Sequence, residues 1–287
     1  MIHLGGYDRV VTMPSQDIGL RRSRSSVDRA LQLLRLLTEQ PAGATLEEVA
    51  VAAGAPKASV HRSLQALLSA GFISQDGRRG RYRIGSELLR LVFTYYESWD
   101  EQAAVRPALE RIAHLTGETA HYGRLDASEV IYIAKVTPPG ESHRTLSRIG
   151  SRTPAHCSGL GKALLSQHLP TQRDVATYIE TFGPLDRRTP NTATDAGSLH
   201  RELEDARRRG FALDREEGEP GITCLAFPVY LVSTTQPTGA ISVSSLTHRT
   251  PLDDLIKQAE SVKQAVEEEL PGSTRSPNQG GVALDPR

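Results

Sequence analysis

The sequence lacks the features that define membrane, secreted and disulfide-rich proteins. No apolar run among its 287 residues approaches the roughly 20 that a membrane-spanning helix needs. Residues 1–20 lack the basic-then-apolar order of a secretion signal. Cysteine occurs only at Cys157 and Cys224, too few for a disulfide framework, so we expect a cytoplasmic location. Hydrophobic residues at 38% and charged residues at 24% are typical of a soluble globular chain, here long enough for two domains.

A net charge of zero conceals an uneven distribution of charge. The segment from Arg21 to Arg83 contains eleven Lys or Arg and five Asp or Glu, an excess of positive charge that the rest of the chain balances. A basic segment on an otherwise acidic chain is typical of polyanion binding, but solvated surfaces of other proteins also carry such segments.

The basic segment begins with the signals of two short helices. Apolar residues at helical spacing follow Ser25, a predicted N-cap, and Pro41 ends this first helix. The capping box formed by Thr45 and Glu48 begins a second helix, which Gly54 ends. The predicted inward face of the first helix consists of Val27, Ala30, Leu31, Leu34 and Leu37.

A third helix is predicted from Pro56 to Leu68, after a connection short enough for a helix–turn–helix. Two short strands, 72–74 and 82–84, then flank a turn-rich basic hairpin tip. The order of these elements predicts a winged helix–turn–helix, in which the hairpin is the wing.

The polar face of the third helix is predicted to enter the major groove of DNA, where Ser59, Arg62 and Gln65 would reach base edges. The arginines of the wing would contact flanking phosphates, which positions a protein without reading sequence. The alternative is a small packed domain with no nucleic-acid ligand. The residues predicted to contact DNA are Lys57, Ser59, His61, Arg62, Gln65, Arg78, Arg79 and Arg81.

The second half of the chain mixes short strands with helices. Strands are predicted at 119–124, 130–136, 146–149, 211–213, 224–230 and 239–245, and helices at 86–96, 100–115, 159–167, 198–209 and 252–270. This pattern predicts an α+β domain around a mostly antiparallel sheet.

Eight stretches of the chain, taken together and in this order, resemble one known family. They are residues 26–31, 56–62, 80–85, 117–119, 154–163, 214–217, 221–226 and 240–244. The chain resembles the IclR family of bacterial transcriptional regulators over about residues 25–268. One departure is the Ser/Thr/Pro-rich loop 231–237, where the family usually has a tight Asp/Gly turn.

The resemblance implies an α+β fold in which the winged helix–turn–helix is joined by a linker helix to a GAF-like α/β effector-binding domain. It also implies a homodimer, often paired into tetramers, that binds a partly palindromic operator in double-stranded DNA. Members include repressors and activators, commonly of catabolic genes for small organic or aromatic acids. The domains expected are a mobile arm (1–22), the winged helix–turn–helix (23–85), the linker helix (86–99), the effector-binding domain (100–270) and a disordered tail (271–287).

Several residues of the second domain suit an effector pocket. Backbone amides at the start of the predicted helix at Gly159 can hold a carboxylate, and Asp214 can accept a hydrogen bond from a ligand hydroxyl. Ser242 and Ser244 project from one face of a strand. Matching positions line the effector pocket in the family, although solvent exposure or plain core packing are alternatives for the serines and cysteines. The predicted effector residues are His121, Ser158, Gly159, Leu160, Asp214, Cys224, Ser242 and Ser244.

Enzymatic functions fit the sequence less well than a regulator does, and neither a cofactor nor a metal is predicted. A phosphate loop ending at Lys162 would need glycine at His156 and Ser or Thr at Ala163. A thiol nucleophile at Cys157 has no orienting third group. The remaining alternative is a small-molecule-binding or enzymatic module whose basic domain contacts protein, and a steep salt dependence of DNA binding would distinguish a regulator from it.

Overall fold

The computed structural model describes residues 25–77, 80–98, 100–138 and 147–274. The chain divides into two compact units, with the boundary between Asp100 and Glu101. The predicted mobile arm (1–22) and the wing residues Arg78 and Arg79 lie outside the described residues. No helix among the described residues is long and apolar enough to cross a membrane.

The N-terminal unit contains four helices and a two-stranded antiparallel sheet. Its elements are α1 (Ser26–Thr38), α2 (Leu46–Ala53), α3 (Lys57–Ser69), β1 (Ile73–Gln75), β2 (Tyr82–Ile84) and α4 (Ser86–Ser98).

Local hydrogen bonds set the helix boundaries of this unit where the sequence predicts them. The Ser25 hydroxyl accepts from the Asp28 amide, and the Asp28 carboxylate accepts from the Ser25 amide, which completes a capping box on α1. Thr45 and Glu48 do the same on α2. Gly54 ends α2 with a φ of 59°, a left-handed conformation that costs glycine little.

The predicted inward face of α1 is right for Ala30, Leu34 and Leu37, which are buried or pack against the core, and wrong for Val27 and Leu31. Val27 and Leu31 are 64% and 55% exposed, whereas Leu33 and Leu37 are fully buried against α2 and α3. Leucine is so frequent in α1 that it forms apolar stripes on two adjacent faces, and the packing of α2 and α3 decides which stripe is buried. Helical periodicity alone does not make that choice.

The C-terminal unit is a six-stranded antiparallel sheet with helices on both faces. The strand order is β5-β4-β3-β8-β7-β6, and every neighbouring pair is antiparallel. Its elements are α5 (Glu101–Thr116), β3 (Thr119–Asp126), β4 (Glu129–Val136), β5 (Arg152–Pro154), a 3-10 turn (Ala155–Cys157), α6 (Gly159–His168), α7 (Gln172–Phe182), α8 (Ala196–Arg209), β6 (Ala212–Arg215), β7 (Ile222–Val229), β8 (Gly239–Leu246), α9 (Leu252–Lys257) and α10 (Ala259–Glu269).

Each face of this sheet has its own apolar core. Helices α5, α9 and α10 cover one face, and α6, α7 and α8 cover the other. Because successive strand residues point to opposite faces, Ile241 and Val243 enter the first core. Ser242 and Ser244 therefore face α6. The sequence-predicted α+β architecture is confirmed.

Three elements of this unit differ from the prediction. Residues 147–149 are not a strand, and the edge strand is β5, which begins three residues after position 149. The helix predicted over 252–270 is two helices, since it breaks at Gln258, whose amide bonds back to Leu255. Helix α7 was not predicted, although its Thr171–Asp174 capping box is a local signal for it.

The tail predicted to be disordered from Pro271 is ordered at its start. Ser273 is 2% exposed, and its carbonyl accepts from the amide of Tyr230 at 2.9 Å. The Glu267 carboxylate also accepts from the amides of Gly272 and Thr274. These contacts hold the chain against the C-terminal unit as far as Thr274.

Candidate effector pocket and DNA-binding surface

A cavity of about 260 Å³ lies between the sheet and the start of α6. We call it the effector pocket. Seven of the eight predicted effector residues line it, and only His121 does not. The lining consists of Tyr132, Ser147, Ser151, Arg152, Thr153, Ser158, Gly159, Leu160, Arg188, Asp214, Gly218, Glu219, Ile222, Cys224, Ser242 and Ser244.

The N-terminus of α6 points free amides into this pocket. Ser158 is the N-cap, and its hydroxyl accepts from the amide of Gly161 at 3.2 Å. The preceding amides, those of Gly159 and Leu160, have no partner within the helix, because the first turn lacks upstream carbonyls. Gly159 also allows close approach to the sheet, since a Cβ placed there would lie 3.0 Å from the Cβ of Cys224.

Ser242 is buried in the lining with no described partner for its hydroxyl. The residue is 3% exposed, and no hydrogen bond of its side chain exists among the described residues. The oxygen is not among the fully enclosed polar atoms that lack a partner, so it is open to the cavity, where a ligand or water can bond to it. Its neighbour Ser244 differs, because its hydroxyl lies 3.1 Å from Cys224 Sγ and 3.4 Å from His121 Nδ1.

His121 stands behind the pocket lining. It is 1% exposed, and its Nε2 lies 2.8 Å from the hydroxyl of Ser147. Burial, assisted by the nearby charge of Lys135, lowers the pKa of His121 to about 3. The imidazole is therefore neutral at physiological pH, and it orients two lining hydroxyls, those of Ser147 and Ser244.

Asp214 supplies the pocket with a carboxyl group whose pKa is raised. It is 5% exposed, and its Oδ1 accepts from the amide of Glu217 at 2.8 Å. Burial raises the pKa of Asp214 to about 7, against the opposing influence of the Lys162 charge. The group therefore exists in both protonated and ionised forms near neutral pH.

A buried ion pair connects α6 to the loop that follows Asp214. Lys162 Nζ, on a residue 1% exposed, contacts Glu217 Oε1 and lies 3.4 Å from Glu202 Oε2. Glu217 Oε1 also accepts from the amide of Arg215 at 3.1 Å. This network fixes one wall of the effector pocket.

Sequence reasoning missed three prominent lining residues: Tyr132, Arg152 and Arg188. Tyr132 belongs to a strand that the sequence predicts, and alternation along β4 places it on the α6 face. Arg152 pairs with Asp126 and Glu129. The guanidinium of Arg188 has no ion-pair partner among the described residues, and its loop carries no local signal that places it at the pocket.

Both thiols are unsuited to nucleophilic chemistry. Burial raises the pKa of Cys157 to about 12 and raises the pKa of Cys224 still further. A thiolate is the reactive form, and neither cysteine supplies one near neutral pH. Among the described residues, no group of three His, Cys, Asp or Glu side chains is placed to hold a metal ion.

In the N-terminal unit, the predicted DNA-reading face of α3 is on the surface. Lys57, His61, Arg62 and Gln65 are exposed, and Ser59 is half-buried. The Gln65 amide nitrogen lies 3.5 Å from His61 Nε2, so these two side chains form one polar patch.

Two of the predicted phosphate contacts already have partners within the chain. Lys57 Nζ lies 2.6 Å from Glu47 Oε1, in a surface pair that a phosphate can replace at little cost. Arg81 donates from Nε to the carbonyl of Gly43 and from Nη2 to Glu48, which holds the wing against α2. Arg81 therefore has a structural role in the absence of DNA.

Three helices, an exposed polar recognition face and a hairpin define a DNA-binding helix–turn–helix protein, with a small-molecule pocket in its second unit. The model of the IclR helix-turn-helix domain matches residues 26–77. The model of the bacterial transcriptional regulator IclR C-terminal domain matches residues 93–268. The chain belongs to the IclR family of bacterial transcriptional regulators.

Named relatives agree with this assignment. XynR, an HTH-type transcriptional regulator of Escherichia coli, is 32% identical over 240 residues, which are 84% of this chain and 93% of XynR. An IclR transcriptional regulator from Alicyclobacillus acidocaldarius has a solved structure with 27% identity and a TM-score of 0.68, covering 87% of this chain and 97% of its own. An IclR homolog from Microbacterium hydrocarbonoxydans, solved in complex with 4-hydroxybenzoate, shares the fold at 21% identity and a TM-score of 0.67, covering 85% of this chain and all of its own. The chain is accordingly a transcription regulator, and the predicted family is confirmed.

Proposed function

We propose that this regulator binds a double-stranded operator through α3 and the wing, as a homodimer. A small organic or aromatic acid in the effector pocket then changes its operator affinity. The domain limits and contact residues predicted from the sequence belong to this proposal.

The α3 surface suits the major groove. Its exposed polar groups (His61, Arg62 and Gln65) include the side chains that most often read base edges, whereas Val60 and Leu64 hold the helix in the core. Two such helices in a homodimer would meet successive major grooves, with half-sites about one helical turn or a multiple apart. The apolar surface of α4 supports a homodimer, since Leu89 and Phe93 are 55% and 64% exposed.

The single observation that carries the effector proposal is the unpartnered hydroxyl of Ser242 in the same pocket as the free amides of α6. One carboxylate has enough lone pairs to accept from the amides of Gly159 and Leu160 and from a hydroxyl together. A hydroxyl elsewhere on the acid would donate to Asp214. Such a ligand alters DNA binding only by the difference in its affinity for two arrangements of the dimer.

Binding of the effector is tested with thermal shift on the full chain, using benzoate and 4-hydroxybenzoate against the matched neutral amide, benzamide. The proposal expects an acid to raise the unfolding temperature where its amide does not. Gly159→Val, whose added methyls would enter the space occupied by Cys224, should abolish this response and leave operator affinity unchanged. A response that survives in Gly159→Val would place the ligand elsewhere.

DNA binding is tested by titrating the chain against its own promoter fragment at several salt concentrations. Each phosphate contact releases counterions, so log K should fall linearly with log salt at a slope of about −0.9 per contact. The enzymatic or protein-binding alternative predicts no measurable DNA affinity and no such slope.

A further inference from the structure

A second cavity lies in the C-terminal unit, separate from the effector pocket and of similar size, about 270 Å³. Segment 154–158 divides the two: Pro154 and His156 line the second cavity, and Ser158 lines the effector pocket. The other residues that line the second cavity are Ser128, Glu129, Tyr178, Phe182, Gly183, Pro184, Leu185 and Asp186.

His156 faces this cavity with an unused nitrogen. The residue is 4% exposed, and its Nε2 lies 3.0 Å from the carbonyl oxygen of Asp186. A carbonyl oxygen only accepts hydrogen bonds, so Nε2 carries the proton and Nδ1 is an acceptor. No described residue donates to Nδ1. The imidazole is neutral, because burial lowers the pKa of His156.

The other polar side chains of the second cavity offer mainly acceptors, and the hydroxyl of Ser128 is the one that can also donate. The Tyr178 hydroxyl donates to the carbonyl of Ser128 at 3.3 Å, which leaves only its lone pairs for a ligand. Glu129 accepts from Arg152 through Oε2, and its other carboxylate oxygen has no described donor. The Asp186 carboxylate adds further negative charge, and no Lys or Arg lines the cavity.

Apolar and aromatic walls complete the cavity. The rings of Tyr178 and Phe182 lie 5.1 Å apart between centroids and are tilted by 58°, and Pro154 and Leu185 add aliphatic surface. Aromatic faces attract cations when water is excluded. An excess of acceptors over donors, next to such walls, favours a ligand that brings both N–H donors and an apolar body.

We infer that the second cavity is a binding site for a small organic ammonium ion, a primary amine carried on an apolar or aromatic group. Its ammonium donates to His156 Nδ1 and to the carboxylates of Glu129 and Asp186. Its apolar part lies against Tyr178 and Phe182. A bare metal ion is the weaker fit, because no three ligating side chains converge among the described residues.

The test is isothermal titration of the full chain with benzylamine, and with benzyl alcohol as the neutral isostere, in an amine-free phosphate buffer. Benzylamine should bind at least about tenfold more tightly than benzyl alcohol, because hydrogen bonds to charged groups are the stronger kind. Asp186→Asn and Phe182→Ala should each weaken benzylamine about fivefold. Asp186 is exposed, so the fold should tolerate Asp186→Asn, whereas Phe182 also packs against the core of the α6 face, so thermal unfolding checks that Phe182→Ala remains folded.

Two control variants separate the second cavity from other sites. Glu180→Gln removes an exposed negative charge from the same helix, α7, without touching the cavity, and should leave benzylamine affinity unchanged. Ser242→Val removes a hydroxyl from the effector pocket and adds apolar bulk there, and it should also leave benzylamine affinity unchanged. Absence of benzylamine binding, or equal affinity for benzylamine and benzyl alcohol, would overturn the inference. A loss of benzylamine affinity in Ser242→Val, or one in Glu180→Gln as large as in Asp186→Asn, would also overturn it.

Discussion

Lys162 and Glu217 form an ion pair in the interior of the C-terminal unit, at 1% and 3% side-chain exposure. The pair joins helix α6, whose N-terminus lines the effector pocket, to the loop that follows Asp214 and carries Gly218. Glu217 Oε2 has no hydrogen-bond partner, so Lys162 is the main compensation for a buried negative charge. The pocket wall therefore depends on a residue that does not itself line the pocket.

Lys162→Met should destabilise the fold and weaken effector binding together. Removing one partner of a buried pair costs about 3–5 kcal/mol, because the other charge stays buried without compensation. Chemical denaturation measures this loss. The double variant Lys162→Met/Glu217→Gln should recover most of it, since no charge is then buried. A double variant as unstable as the single one would show that packing, rather than charge, is what Lys162 provides.

Ser242→Ala should weaken effector binding about fivefold, equivalent to one hydrogen bond of about 1 kcal/mol. Ser245→Ala on the same strand is the matched control. Ser245 points to the other face, where its hydroxyl lies 3.1 Å from that of Thr223 and donates to the carbonyl of Thr250. Ser245→Ala should cost folding stability and leave effector affinity intact. Equal effects of both changes on affinity would argue against a direct contact by Ser242.

Affinity for benzoate, which has no hydroxyl to donate to Asp214, should fall as the pH rises through about 7, the raised pKa of Asp214. Below this pH the carboxyl is protonated and neutral, and above it the negative charge repels a bound carboxylate. Binding an acid therefore favours the protonated form, so it is strongest at low pH. Titration from pH 6 to pH 8 measures this change, and Asp214→Asn should remove it. A pH dependence that persists in Asp214→Asn would assign it to another group, although His121 is neutral throughout this range because burial lowers its pKa to about 3.

The same raised pKa of Asp214 has a consequence for the fold. The folded state holds the proton up to about pH 7, whereas the unfolded state loses it near the ordinary value of 3.8. Between these values the unfolded state holds fewer protons at this group, so the contribution of Asp214 to the free energy of unfolding should fall as pH rises and level off above about 7. His121 contributes the opposite slope between about 3 and its ordinary value of 6.5, so the contribution of Asp214 is measured as the difference between the wild-type chain and Asp214→Asn. Denaturant titrations of Asp214→Asn should lack this slope.

Arg62→Ala and Lys57→Ala should weaken DNA binding in different ways. If Arg62 makes a bidentate base contact, its loss should remove about 1–3 kcal/mol of discrimination at one base position. Lys57 is expected to contact phosphate, so its loss should weaken all sequences alike and reduce the salt slope by about one contact. Competition binding on operators with single base changes separates these outcomes. Uniform weakening by Arg62→Ala would reassign Arg62 to the backbone.

Local signals predict much of the fold and part of the effector pocket. Capping boxes give the starts of α1 and α2, and strand alternation places Cys224, Ser242 and Ser244 on one face. Arg188 was missed because its position depends on a contact distant in sequence. The Thr192 hydroxyl accepts from the Arg188 amide at 3.2 Å and donates to the carbonyl of Glu217 at 2.7 Å. No local sequence pattern within the loop predicts the hydrogen bond from Thr192 to Glu217.

The exposed side of α3 is proposed to read DNA sequence, and selection from random duplexes is the test of that role. The wild-type chain and the triple variant His61→Ala/Arg62→Ala/Gln65→Ala are each used to retain duplexes, which are then sequenced. All three side chains are exposed, so the variant should fold normally. The account predicts that the wild-type chain enriches a partly palindromic sequence and that the variant does not. Enrichment of the same sequence by the variant, or of none by the wild-type chain, would contradict it.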